Sequence, residues 1–177
     1  LLGIVVALLR MSRVKLLKVL AGAYIEFLRG TPLLVQVLIV FYGLPQMGVK
    51  LPRMTAGTVA LVINSAAYMA EIVRSGIQAI DGGQTEASRS LGMNGAQTMI
   101  YIILPQAIKN ILPAIGNEFV SIIKESSILY TIGIYELTYQ ANKLASTNFR
   151  YLETLTISAL IYFVLTFTAS RLLGLLE

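Results

Sequence analysis

Three carboxylates stand inside otherwise apolar stretches of this sequence: Glu71, Glu118 and Glu125. Each has a cation close by in the chain, Arg74 three residues after Glu71 and Lys124 six after Glu118 and beside Glu125. Ionisable groups in such surroundings serve as ion-pair partners, as counter-ions for a charged ligand, or as proton relays. Other chemistry is closed to the chain. It contains no Cys and no His, which removes disulfides, thiolate metal sites, and the commonest metal ligand and proton shuttle. Catalysis by this chain alone is not expected.

Glu71 and Arg74, three apart, share one helix face and read as a structural ion pair. Glu118 is different, because Lys124 lies more than one and a half turns away and so points to another side of the helix. Two readings stay open for it. Either Glu118 is a structural carboxylate between helices, or it faces a cavity and attracts a cationic side chain or an α-amino group. In the second reading Asn117, Asn64 and Tyr68 are its hydrogen-bonding companions. Glu153, at the start of the last apolar stretch, reads as solvated.

The elements that must hold these groups are membrane spans. With 56% hydrophobic and 13% charged residues over 177 positions, the chain has too little polar surface for a soluble globule. Its net charge of +5 is scattered among apolar segments, without a basic patch interleaved with aromatics, so no nucleic-acid partner is expected. The bilayer is. Leu1 to Leu9 is too short to cross about 30 Å of hydrocarbon and is expected to be the inner end of a first span that begins before Leu1. A cleaved signal peptide fits less well, since no small-residue cleavage site follows.

Arg10 to Arg29 mixes five basic residues with apolar ones at helical spacing and reads as an interfacial helix. Thr31 is expected to cap a helix that begins at Pro32. Leu33 to Tyr42 is a short apolar run that either continues to Met47 despite Pro45 or shares a span with the preceding helix. Met54 to Ile80 is a long span. Pro105 and Pro113 bracket a segment with Lys109, and further spans are expected from about Ala114 to Ile134 and from Thr154 to about Leu173, with Tyr135 to Glu153 polar between them. The total is about five spans, all helical. Alternation puts nine basic residues (Arg10, Arg13, Lys15, Lys18, Arg29, Arg74, Arg89, Lys109, Arg171) on one side and four (Lys50, Arg53, Lys143, Arg150) on the other. The positive-inside rule then makes the N-terminus external and the C-terminus cytoplasmic.

Between the second and third of the long stretches lies a polar island, Gly83 to Pro105. Asp81 with Gln84, and Asn94 with Gln97, are spaced as helix-start pairs. Two short helices are therefore expected to meet at Leu91-Gly92-Met93, with Gly92 supplying a left-handed turn. A helix under three turns long is marginal alone, so it should dock. Spacing leaves open whether it lies on the membrane or its own subunit, or fits a socket on a soluble partner.

The island resembles the cytoplasmic coupling loop of bacterial ABC importer permeases, through Glu86-Ala87-Ser88, Gly92 and Ile103-Leu104-Pro105. Ser88 stands where that pattern has a second Ala. Arg29-Gly30-Thr31-Pro32-Leu33-Leu34-Val35-Gln36, Tyr42-Gly43-Leu44-Pro45, Ala67-Tyr68-Met69-Ala70-Glu71-Ile72-Val73-Arg74, Leu104-Pro105-Gln106-Ala107 and Lys124-Glu125-Ser126-Ser127 extend the resemblance to the polar amino-acid branch. It covers most of the chain. The resemblance implies a single permease domain over 1–177 with the type I importer fold, a coupling loop at 81–105, and a place in the bacterial inner membrane. It further implies pairing with a second permease subunit, in a homodimer or a heterodimer, and an external substrate-binding protein. A cytoplasmic ATPase subunit would bind ATP and Mg, leaving this chain without a cofactor.

On this footing Glu86 to Met93 is the expected ATPase contact. Glu86 and Arg89 would be charged partners, and Ala87, Leu91 and Gly92 packing surface, with Ser88 and Met93 completing the segment. Asn117-Glu118-Phe119 stands where similar permeases often carry Asn-Gln-Phe, which points to a basic amino acid such as arginine, lysine or histidine as substrate. The competing reading is an ion-coupled carrier or channel working without an ATPase, in which Glu71 and Glu118 relay protons. It leaves the polar island without a role.

Overall fold

The computed structural model describes residues 1–175, and among them all regular structure is helical. The chain runs through α1 (Leu2–Arg10), α2 (Lys15–Gly30) and α3 (Leu33–Leu38), the last continued by a π turn (Ile39–Gly43) and a final turn at Leu44–Gln46. Then follow α4 (Arg53–Gln78) and α5 (Gly82–Ser90). A turn at Gly95–Gln97 and a second π turn (Thr98–Ile103) lead into α6 (Leu104–Glu125), which ends in a 3-10 stretch (Ser126–Ile132). Two antiparallel helices, α7 (Leu137–Asn148) and α8 (Tyr151–Gly174), close the chain.

The centre of the bundle is α4. Its inward positions are small, with Ala56, Gly57, Ala60, Ala66, Ala67, Ala70 and Gly76 all buried, and small residues let backbones approach where lipid offers no hydrophobic drive to helix association. Gly3 of α1 sits so close that an added Cβ would lie 2.5 Å from the Met69 Cβ, and Ala7 packs with Ala70 one turn later. Those two contacts make α1 and α4 parallel. On the other flank a Cβ at Gly76 would lie 2.3 Å from Ile111, while Gly57 meets Leu129, Ile132 and Ile134. The order reverses, so α6 runs antiparallel to α4.

Among the described residues three helices are individually long and apolar enough to cross a membrane: Arg53–Gln78, Gly95–Ile132 and Tyr151–Gly174. The pair Lys15–Gly30 and Leu33–Gln46 qualifies only when taken together, and it is bent by 107°. That bend separates the basic helix from the apolar run after it, as an interfacial helix followed by a short span requires. Gln36 holds the bend. Its Nε2 donates to the carbonyl oxygens of Leu28 (2.8 Å) and Thr31 (3.1 Å) and to the Thr31 hydroxyl (2.9 Å), while its Oε1 accepts from Asn64 of α4 at 2.9 Å.

Two expectations change, and a stretch for which the sequence suggested no element is helical. Thr31 does not cap α3; its hydroxyl donates back to the Phe27 carbonyl at 2.8 Å. Pro105 and Pro113 do not delimit a separate segment, because helix continues through both from Gly95 to Ile132. A wider π turn just before Leu104-Pro105 gives the proline ring the room it otherwise takes from the carbonyl four residues back. Finally, the polar stretch after Ile134 contains α7, a helix of 12 residues. Glu136 starts it by accepting from the backbone N–H groups of Thr138 (2.8 Å) and Tyr139 (2.6 Å), and it also accepts from the Tyr162 hydroxyl of α8 at 2.8 Å.

Candidate functional site

The polar island folds as a knob at the end of α4. Asp81 caps α5 by accepting from the Gly83 N–H at 2.7 Å. The expected reciprocal bond from Gln84 is absent, and its Oε1 instead accepts from Gln106 of α6 at 3.3 Å. At the other end, Gly92 N–H bonds the Arg89 carbonyl (2.9 Å) and Met93 N–H bonds the Ser88 carbonyl (3.1 Å), around a Gly92 φ of +84°. This is the Schellman arrangement that satisfies the last carbonyls of a helix. Asn94 and Gln97 then form the complete capping box, with bonds of 3.0 and 2.9 Å in the two directions.

The knob has an inside and an outside. Ser88 is buried, donating to the Thr85 carbonyl at 2.9 Å and lying 3.0 Å from the buried Thr98 hydroxyl. Ser88 thus faces its own subunit and ties α5 to the turn beneath it. Leu91, by contrast, is 83% exposed at the tip. Glu86, Ala87, Arg89 and Gly92 are exposed around it, and Met93 is half-buried. A large apolar side chain is thus held outward on the turn, flanked by one acid and one base.

Behind the knob, the end of α4 carries a charged cluster. Glu71 accepts from Arg74 Nε at 2.9 Å and through a second bond from the same guanidinium, and Arg29 lies 4.0 Å from it. Arg29 also stacks over the Tyr68 ring, 5.3 Å from its centroid. Arg74 further donates to Gln78. The cluster joins the basic helix α2 to the span that leads into α5, and so sets α2 and the knob at one end of the bundle.

Among the described residues no hydrogen bond joins Glu118 to Asn64, Tyr68 or Asn117. Asn64 is 3% exposed, with its amide nitrogen committed to Gln36, and Tyr68 lies under Arg29. Glu118 is half-buried beside Ser65 of α4, and Asn117 next to it is exposed. No ion pair among the described residues involves Glu118, Lys124 or Glu125. Gln36, Thr98, Gln106 and Glu136 were not legible as functional or organising residues. The first is a buried amide whose partners lie 28 residues away or across a bend, and only Glu136, an acceptor directly ahead of a helix start, left a local signal.

The fold and this knob can be compared with known proteins. A family model described as binding-protein-dependent transport system inner membrane component matches residues 1–177. The chain belongs to this family. Within it, the probable glutamine ABC transporter permease protein GlnM of Bacillus subtilis is 43% identical over 176 residues, 99% of this chain and 82% of that protein. The arginine transport system permease protein ArtQ of the same organism is 45% identical over 165 residues, 93% of this chain and 75% of that one. Among solved structures, an amino acid ABC transporter crystallised with histidines superposes with a TM-score of 0.94 at 56% identity, covering 99% of this chain and 82% of that chain. The MetNI methionine ABC transporter, in inward-facing conformations, gives a TM-score of 0.70 at 17% identity, a likeness of fold. The permease family thus supplies both the architecture, that of the type I importers, and the membrane setting.

Proposed function

We propose that this chain forms the substrate pathway of an ATP-driven importer of polar amino acids, and that the Leu91 knob is where a cytoplasmic ATPase subunit grips it. The relatives named for glutamine, arginine and histidines support an amino-acid substrate. The observation that carries the coupling role is the knob itself: a buried Ser88–Thr98 pin on one side and an exposed Leu91 on the other, on a turn that leaves no slack. Because only Ala79, Ile80 and Asp81 separate α5 from α4, a push on the knob is passed to the central helix, which is what alternating access requires. The contact surface is Glu86, Ala87, Arg89, Leu91, Gly92 and Met93, with Ser88 as the pin behind it. A second permease subunit and an external binding protein complete the machine, and the knob end is cytoplasmic.

For the substrate, we assign Glu118 as counter-ion to a basic amino acid, with Asn117 beside it. The coupling role is tested by Gly92→Asp in the assembled complex. Membrane insertion should be normal and ATP hydrolysis should continue, while uptake falls at least tenfold. Uptake at the wild-type rate would remove the knob from the coupling path.

A further inference from the structure

Leu-Pro-Gln occurs twice, at Leu44-Pro45-Gln46 and Leu104-Pro105-Gln106, and the backbone does the same thing both times. In each case a π turn precedes the motif and the leucine N–H bonds five residues back, Leu44 to the Ile39 carbonyl and Leu104 to the Met99 carbonyl. The proline brings no N–H. The glutamine side chain then donates to the carbonyl four residues before it, Gln46 to Tyr42 at 3.3 Å and Gln106 to Ile102 at 2.7 Å. A wide turn needs this help, because the missing proline donor and the i−5 register leave carbonyls short of partners.

The two copies differ in one respect. Gln106 spends its second amide hydrogen on Gln84 Oε1, 3.3 Å away in α5, whereas the Gln46 side chain, among the described residues, bonds only within its own helix. The inner copy therefore spans two elements, the coupling helix and the base of α6. Three anchors then hold α5: the Asp81 cap at its start, Ser88–Thr98 under its last turn, and Gln84–Gln106 on the flank facing α6.

We propose that Gln106 is a positioning residue for transport, whose amide clasps the coupling helix to the start of α6 at Leu104-Pro105 so that knob and α6 move as one body. This rests on the coupling role given above. With the clasp open, the π turn at Thr98–Ile103 absorbs part of the displacement, and ATP is hydrolysed with less transport.

The test uses the complete assembly of this chain, its ATPase subunit and its binding protein in proteoliposomes, with arginine as probe, reading molecules taken up per ATP hydrolysed. The ratio is insensitive to poor assembly, which lowers both quantities together. Gln106→Leu and Gln84→Leu should each lower it about fivefold, the scale of one exposed hydrogen bond. Gln84→Glu keeps the acceptor oxygen and should stay within about twofold of wild type. Gln46→Leu, the same lesion without a second element attached, should leave the ratio unchanged. A wild-type ratio in Gln106→Leu, a Gln84→Glu as impaired as Gln84→Leu, or a Gln46→Leu as impaired as Gln106→Leu would overturn the clasp. Gly92→Asp in the same assay separates the two ideas. If it uncouples while Gln106→Leu does not, the clasp alone fails; if neither changes the ratio, the coupling role fails with it.

Discussion

A carboxylate at membrane depth needs a counter-charge or a wet cavity, and Glu118 has Ser65 beside it with no cation of its own chain in ion-pair range among the described residues. A basic substrate would supply the missing charge. Glu118→Gln should therefore reduce the preference for arginine over glutamine about tenfold in a competition assay, the difference made by one charged hydrogen bond; an unchanged preference would take Glu118 out of the site. Asn64 belongs to another story. Its amide nitrogen donates to Gln36 Oε1, and the Gln36 nitrogen in turn donates to three oxygen atoms at the bend between α2 and α3. Gln36→Leu would take from the Asn64 amide and the Leu28 carbonyl their buried partner, at a cost of about 1–3 kcal/mol, seen as a lower apparent Tm of the detergent-solubilised protein. An unaltered Tm would mean that the bend is held by packing alone. The ion pair of Glu71 and Arg74 could be read from spacing, since i,i+3 neighbours share a face. The fate of Asn64 could not, because an intramembrane amide looks the same in sequence whether it meets a ligand or another buried amide.

At the scale of elements, the knob is where sequence and structure agree most closely, and the reason is local. Capping residues and a left-handed glycine act through bonds to backbone within five residues, so Asn94, Gln97 and Gly92 announce themselves. Asn94→Ala should destabilise the turn by about 1 kcal/mol, detectable as faster amide hydrogen exchange across 91–98; unchanged exchange would show that the capping box is idle there. The π turns and α7 escaped notice for the opposite reason. A π turn inserts one residue and shifts the apolar period while the chain stays helical, so Pro105 reads as a boundary where the helix has only widened. A 12-residue helix without a clear apolar face depends on Tyr162, far along the chain, to fix the carboxylate that caps it.

For the whole molecule, the decisive feature is how little of its apolar surface is inside. α8 exposes Leu152, Ile157, Leu160, Phe163 and Val164 along its length, a face matched to lipid, while the small residues of α4 gather the other helices. The one polar knob stands at the end of the bundle where Arg29, Glu71 and Arg74 meet. Everything proposed for this chain depends on an ATPase gripping that knob. The sequence has no Cys, so Leu91→Cys places a single thiol at its tip. With a thiol-directed cross-linker and the ATPase subunit present, this variant should join covalently to the ATPase, with a yield that changes when ATP is added. A thiol that reacts only with a lipid-soluble probe, or only with a membrane-impermeant reagent applied from outside the cell, and never with the ATPase, would contradict the account.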